Sequence, residues 1–268
     1  MTKWSETVAS GKRFTKKQAL AHLPEWALTP LKKRHYLGVL RTISTAYDPD
    51  FIVLKHLVKA GDYVIDLGAH VGACTKFLSD LIGKEGRVYS VEPFPLNFDI
   101  LRANVRKLGL SNVELINCAV SDMGGRLRME VPTFTESGES FYDARLIPAG
   151  SRSSLRQAEV DVTTVDSLFV HIPSPVTFVK CDVEGQELKT LRGAVKLIEK
   201  HKPAWLLEIS LMDSSTHDQV RHLLGRQGYQ EFWFEQGTVK LWEQGDKPVD
   251  VFFLQQEHLQ AVKRAGLT

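Results

Sequence analysis

Tyr63-Val64-Ile65-Asp66-Leu67-Gly68-Ala69-His70-Val71-Gly72 decides the fold. A short apolar run ends in a carboxylate, passes through a glycine-rich turn and enters a helical pattern. In that pattern Phe77, Leu78, Leu81 and Ile82 share one face, and Gly83 stands where the C-terminal cap would be. Strand, glycine turn and helix open a nucleotide-binding βαβ unit. A second apolar run, Arg87 to Val91, ends in Glu92, whose carboxylate can accept from both vicinal hydroxyls of a ribose. The turn is Gly-x-x-x-Gly rather than the three-glycine pattern that fits a pyrophosphate, and no Gly-Lys-Ser/Thr follows to hold a triphosphate. A nucleoside without phosphates fits better, and S-adenosylmethionine is the common one.

Further along, Val91-Glu92-Pro93, Asn117-Cys118-Ala119-Val120-Ser121-Asp122 and Lys180-Cys181-Asp182-Val183-Glu184-Gly185 succeed the first turn in order. Together with Asp66 to Gly72 they resemble the ordered motifs of FkbM-type methyltransferases, over roughly residues 50–210. The Lys-x-Asp-x-Glu-Gly block makes the match specific. The resemblance implies a Rossmann-like class I methyltransferase fold, with a seven-stranded, mostly parallel sheet and helices on both faces. It implies S-adenosyl-L-methionine as cofactor, with Asp66, Gly68, Ala69, Gly72, Glu92 and Asp182 around it. It also implies Phe94 against one face of the adenine, Ala119 and Val120 covering the ring, and Asp122 accepting from the adenine amino group. His70 lies on the same turn, beside the expected sulfonium end, but stands where the family usually has Asn, so its role does not carry over. The acceptor implied is a hydroxyl on a small molecule, sugar or secondary metabolite.

Composition sets outer bounds. With 268 residues, 43% of them apolar, the chain can bury one large core. A net charge of +2 with mixed signs argues for neither a nucleic-acid partner nor an acidic membrane surface. Lys12-Arg13, Lys16-Lys17 and Lys32-Lys33-Arg34 read as solvated helix faces. Cys74, Cys118 and Cys181 form no CxxC pair and fit reduced, buried thiols. The N-terminus carries charges throughout and no apolar signal region, and no apolar run reaches the roughly 18 residues that span a bilayer. These features place the protein in the cytoplasm.

Two regions follow from the chain order: a helical N-terminal extension or lid over 1–58, and the methyltransferase domain over 59–268 with an insert around 124–160. The extension is broken by Pro24, Pro30 and Pro49, and its Trp4, Phe14, Trp26 and Tyr36 suggest packing on the body or over the substrate. Asp50 would cap a helix bearing Phe51, Val53, Leu54, Leu57 and Val58. Pro95 starts a helix that Gly109 ends, and Val113 to Asn117 is a strand. Leu127 to Val131 and Val160 to Val165 read as strands on either side of a polar segment with Thr135, Ser137, Gly138, Glu139 and Ser140. Such inserts shape pockets or move, and the segment from Thr133 to Ala158 is expected to order around the acceptor. Phe178 to Cys181 and Trp205 to Ile209 complete the parallel strands, and Tyr229 to Phe234 with Val249 to Leu254 form a hairpin-like pair closing the sheet.

In an open α/β sheet the ligand lies beyond the carboxyl ends of the strands. That rule brings Asp66, Glu92, Asp182 and Glu208 to one rim. Each could alternatively serve a helix N-terminus. Asp182 and Glu184, with Glu208 beside them, are the candidates for aligning the acceptor and taking its proton. They could instead hold a divalent cation, but no His-rich set accompanies them, so no metal is expected. Lys180 projects to the same side as Asp182, and a desolvated ammonium there needs a partner, for which Glu208 or Asp66 is expected. A nicotinamide-dependent oxidoreductase is the second reading, disfavoured by the turn and by the lack of a Tyr-x-x-x-Lys pair. A non-catalytic cofactor-binding protein is the third. The sequence is silent on the oligomeric state.

Overall fold

A computed structural model describes residues 25–131, 133–134, 138–139, 145–147, 156–210, 212–246 and 248–268. Two helices, α1 (Glu25–Leu40) and α2 (Phe51–Leu57), lead into β1 (Tyr63–Leu67). Regular alternation follows through α3 (Ala73–Ile82), β2 (Arg87–Val91), α4 (Pro95–Leu108) and β3 (Val113–Ile116). Local chemistry sets these boundaries. Pro95 takes the first turn of α4, where its missing N–H is no loss, and Gly109 closes that helix at φ +68° in the left-handed region. Gly83 likewise follows α3 at φ +65°.

The insert contributes β4 (Ala119–Val120), β5 (Gly125–Val131), β6 (Thr133–Phe134), β7 (Gly138–Glu139), β8 (Arg145–Ile147) and β9 (Arg156–Thr163). After it come α5 (Val165–Phe169), β10 (Val176–Cys181), α6 (Glu187–Arg192), α7 (Val195–His201) and β11 (Ala204–Glu208). The chain ends with α8 (Ser214–Gly225), β12 (Gln230–Glu235), β13 (Thr238–Leu241), β14 (Asp250–Leu254) and α9 (Gln256–Arg264).

The main sheet has the order β13-β12-β14-β11-β10-β1-β2-β3. Strands β3, β2, β1, β10 and β11 are parallel, and β14, β12 and β13 add on antiparallel. Period-two alternation sends neighbouring side chains to opposite cores. Ile65, Leu67, Val179 and Trp205 pack with Phe169, Leu191 and Leu224 on one face. Val64, Phe178, Leu206 and Phe252 pack with Phe51, Phe77 and Leu259 on the other. At roughly 1.5–3 kcal/mol per fully buried large apolar side chain, these two layers fix the strand ends on which the site is built.

A second sheet, β4-β9-β5-β8, lies beside the first, and β6 pairs with β7. Its Ala119, Met129, Val160 and Val162 bury against Val71, Phe94 and Ile100. The insert is therefore anchored on the turn after β1 and on the start of α4.

Several expectations change. The main sheet has eight strands, not seven. Short, half-exposed β13 forms a hairpin with β12, while β14 lies between β12 and β11. Val165 opens α5 rather than ending a strand, because Thr164 caps the helix by accepting from Ser167 N at 3.1 Å. Helix α1 runs through Pro30 without a break. Asp50 makes no side-chain cap; its own N–H donates to Asp48 Oδ1 at 2.9 Å. Trp4, Phe14, Lys12-Arg13, Lys16-Lys17 and Pro24 lie outside the described residues, as do Thr135, Ser137 and Ser140. The three cysteines are free and buried. Among the described residues, no helix is long and apolar enough to cross a membrane.

Candidate active site

The glycine turn after β1 is tied to β2 by its backbone. Gly68 N and Ala69 N both donate to Val91 O at 3.0 Å. His70 then takes a left-handed φ of +49°, uncommon without a glycine, and its N–H donates to Glu92 Oε2 at 2.9 Å. Phe94 N donates to Glu92 Oε1 at 2.8 Å. One backbone N–H thus fixes each carboxylate oxygen of Glu92, and the Asn97 side chain donates to the same carboxylate. Burial pushes the Glu92 carboxyl up to about 7 against these hydrogen bonds. Side-chain amides complete the support: Asn117 Nδ2 donates to Glu92 O at 2.7 Å, and Asn104 Nδ2 donates to Val71 O at 2.9 Å.

Asp66 is fully buried and turned into the fold. Its Oδ2 accepts from Thr75 Oγ1 at 2.6 Å, that hydroxyl lies 2.9 Å from Ser90 Oγ, and its Oδ1 has no hydrogen-bond partner. Burial raises this carboxyl, opposed by the nearby Lys180 ammonium and by Thr75. Asp66 therefore joins β1, β2 and α3 from beneath the turn.

The strand ends enclose a cleft of about 670 Å³, part of it open to solvent. Gly68, His70, Glu92, Ala119, Val120, Asp182 and Glu184 line it, as the sequence reading expects of a ligand site. Ala69, Gly72, Phe94 and Asp122 are not among the lining residues. Phe94 is buried in the core of the second sheet, and Asp122 accepts from Ser121 Oγ at 3.2 Å. The sequence reading missed Asn97, Cys118, Met129, Val183 and Gln186 in the lining. Met129 reaches it only because β5 folds back over the first turn, which no local spacing reveals. A larger, more open groove between α6, α7 and α8 has neither the glycine turn nor a strand-end acid.

At the far end, Lys180 Nζ bonds Asp182 Oδ2 at 2.7 Å, so its ion-pair partner is Asp182 rather than Glu208 or Asp66. The strand geometry explains this, since residues two apart on β10 share a side. Burial alone would lower the Lys180 ammonium, but Asp182 and Asp66 outweigh it and hold the group charged. Burial alone would raise Asp182, but Lys180 and a hydrogen bond from Glu208 hold it below the usual carboxylate range. Glu208 is pushed up to about 8 by burial and by Asp182. Oxygens of Asp182, Glu184 and Glu208 lie within 4.8 Å of one another. Like charges this close keep one of these acids protonated. Glu184 adopts φ +54°, a strained backbone at the mouth of the central strand. Burial drives His70 down to about 4, so its imidazole is neutral near pH 7.

A family described as the methyltransferase FkbM domain matches residues 66–231, from the acid of the first turn to the start of β12. The chain belongs to the FkbM methyltransferase domain family. S-adenosylmethionine is the cofactor. An FkbM methyltransferase from Methylobacillus flagellatus KT has the same fold at TM-score 0.50 and 18% identity, covering 89% of this chain and 58% of that one. A protein-L-isoaspartate O-methyltransferase of Ignicoccus hospitalis is 26% identical over 113 residues, 39% of this chain and 54% of the relative. A probable cobalt-precorrin-6B C(15)-methyltransferase (decarboxylating) of Saccharolobus solfataricus is 38% identical over 63 residues, 23% of this chain and 32% of that protein. The chain thus spans about half or less of the curated relatives it matches. By their names those two relatives modify different acceptors.

The FkbM cleft suits such a cofactor. Among the described lining residues there is no Lys or Arg, and Val91, Ala119, Val120 and Met129 give an apolar shelf beside the Glu92 carboxylate. Acids at the opposite end complement a positive charge.

Proposed function

We propose that this chain transfers a methyl group from S-adenosylmethionine to a hydroxyl oxygen of a small molecule, sugar or secondary metabolite. The observation that carries the reading is the pairing of Glu92 at one end of the cleft and Asp182 at the other. Glu92 holds the two ribose hydroxyls, its carboxylate preset by His70 N and Phe94 N. Ala119, Val120 and Met129 cover the adenine. The bound cofactor supplies a methyl carbon on a cationic sulfur, which leaves as a neutral thioether.

The chain's own residues align the acceptor and take its proton. Alignment can supply much of the acceleration, and a positioned carboxylate base typically adds roughly 10²–10⁴-fold. Asp182 is the base, because Lys180 keeps it ionised. Glu184 positions the acceptor from the next turn. A neutral His70 beside them adds no further positive charge at the sulfonium end. The oxidoreductase reading is disfavoured by the turn, whose Gly-x-x-x-Gly spacing lacks the three-glycine pattern that fits a pyrophosphate.

Methyl transfer from radiolabelled S-adenosylmethionine to a panel of hydroxylated compounds, repeated with Asp182→Asn, tests this. Turnover on a hydroxyl acceptor that falls at least about 100-fold in the variant at saturating cofactor is the expected result. Near-normal turnover in Asp182→Asn removes Asp182 from the chemistry.

A further inference from the structure

Two carboxyl groups have oxygens within 4.8 Å of each other at the acceptor end of the cleft, Asp182 after β10 and Glu208 at the end of β11, and the Lys180 ammonium bonds Asp182. We infer that Lys180 is a positioning residue whose ion pair with Asp182 fixes the single proton shared by the two acids on Glu208, leaving Asp182 free to accept. The inference rests on the methyltransferase reading for its purpose, but not for its test.

The geometry gives the asymmetry. Lys180 Nζ lies 2.7 Å from Asp182 Oδ2, with side chains 15% and 33% exposed. Two acids with oxygens within 4.8 Å of each other cannot both be ionised at little cost, so one of them keeps a proton. A cation on one partner decides which acid gives it up. Glu208 also receives a hydrogen bond from Ser210 Oγ at 2.5 Å and stands opposite Asp250 in the β11–β14 register.

Every other charged group facing the pair makes Lys180 more necessary. Glu184 lies across from both acids. Asp66 acts on Lys180 and Asp182 from the end of β1, and Asp250 and Asp48 act from β14 and from the chain before α2. Asp50, which faces Asp48 and Asp250, is pushed up to about 8 and stays largely neutral near pH 7. His70 is the other basic group acting on Asp182, and burial keeps it neutral near pH 7. Lys180 is thus a fixed positive charge set among acids, consistent with Asp182 held low and Glu208 pushed up to about 8. In turnover the acceptor oxygen bonds to the methyl carbon, the carbon–sulfur bond breaks with its pair on sulfur, and the hydroxyl proton goes to Asp182. Glu208 keeps its own proton throughout.

Carbon-13 NMR of the full chain, labelled at the Asp and Glu carboxyls, reads the proton directly. Asp182→Asn and Glu208→Gln each remove one signal and so assign them. At pH 7 the wild type should show Asp182 as carboxylate and Glu208 as carboxylic acid. In Lys180→Met, Asp182 should move toward the protonated position, and Lys180→Arg should restore the wild-type pattern. An ionised Glu208 in the wild type, or an unchanged Asp182 in folded Lys180→Met, overturns the inference. If Lys180→Met does not fold, the nitrogen-15 shift of the wild-type Lys180 ammonium decides. It should follow the acid titration of Asp182, and following Glu208 instead overturns the inference. Calorimetric titration of the same samples with S-adenosylhomocysteine keeps the two questions apart. Absent binding contradicts the cofactor assignment while the carboxyl signals still judge the proton.

Discussion

The Cβ that Gly68 lacks would lie 1.7 Å from the carbonyl oxygen of Asp182. The first glycine of the cofactor turn and the acid of the acceptor end are thus in backbone contact across the β1–β10 pair. Gly68 also holds φ +80°, so an alanine there meets both a clash and a strained backbone. Gly68→Ala should cost roughly 2–5 kcal/mol in urea unfolding. Gly185→Ala is the comparison, since it has φ +85° but nothing within 4 Å of an added Cβ. It should cost only about 1–2 kcal/mol. Equal costs would show that the close approach to Asp182 is relaxed in solution.

Stability should fall as pH rises. Burial pushes Asp50 up to about 8 from 3.8 and Asp250 up to about 6 from the same value. Between those values the native state binds protons that the unfolded chain has released, so the contribution is full below about pH 4 and lost as pH climbs to about 8. Urea midpoints of the cofactor-free protein should therefore drop from pH 5.5 to 8.5, and Asp50→Asn should flatten the slope. A variant that keeps the wild-type slope would mean that Asp50 ionises normally.

Helix α1 is expected to respond to the cofactor. Lys33 bonds Asp99 on α4 at 2.5 Å, and the Tyr36 ring meets His70 edge-on at 5.9 Å, which links the helix to the cleft lining. Hydrogen exchange of residues 29–40 should slow when S-adenosylhomocysteine binds. Unchanged exchange would reduce α1 to packing on the body of the domain.

What the sequence disclosed and what it hid have physical reasons. The turn from Asp66 to Gly72, the Pro95 start and the Gly109 stop were legible because each depends on a local backbone requirement. The cleft-lining Glu92 and Asp182 were legible because strand ends converge by topology. Strand β13 was not, since its alternation covers only Thr238 to Leu241 with one buried residue. The pairing of Lys180 with Asp182 needed only the two-residue period, yet the choice between carboxylates turned on distances that no spacing encodes. Asp66 reads as a ligand from its place at the strand end. The structure turns it inward because Thr75 offers a buried hydroxyl at 2.6 Å. The lining by Met129 came from the fold of the insert and had no local signal.

The most direct test is isothermal titration of wild type and Glu92→Ala with S-adenosylmethionine, S-adenosylhomocysteine and NADH. Loss of charge-assisted hydrogen bonds worth roughly 1.5–3 kcal/mol should weaken both adenosyl ligands about 10- to 100-fold in the variant, with no binding of NADH. Tighter binding of NADH than of either adenosyl ligand, or an unchanged affinity in Glu92→Ala, would contradict the account.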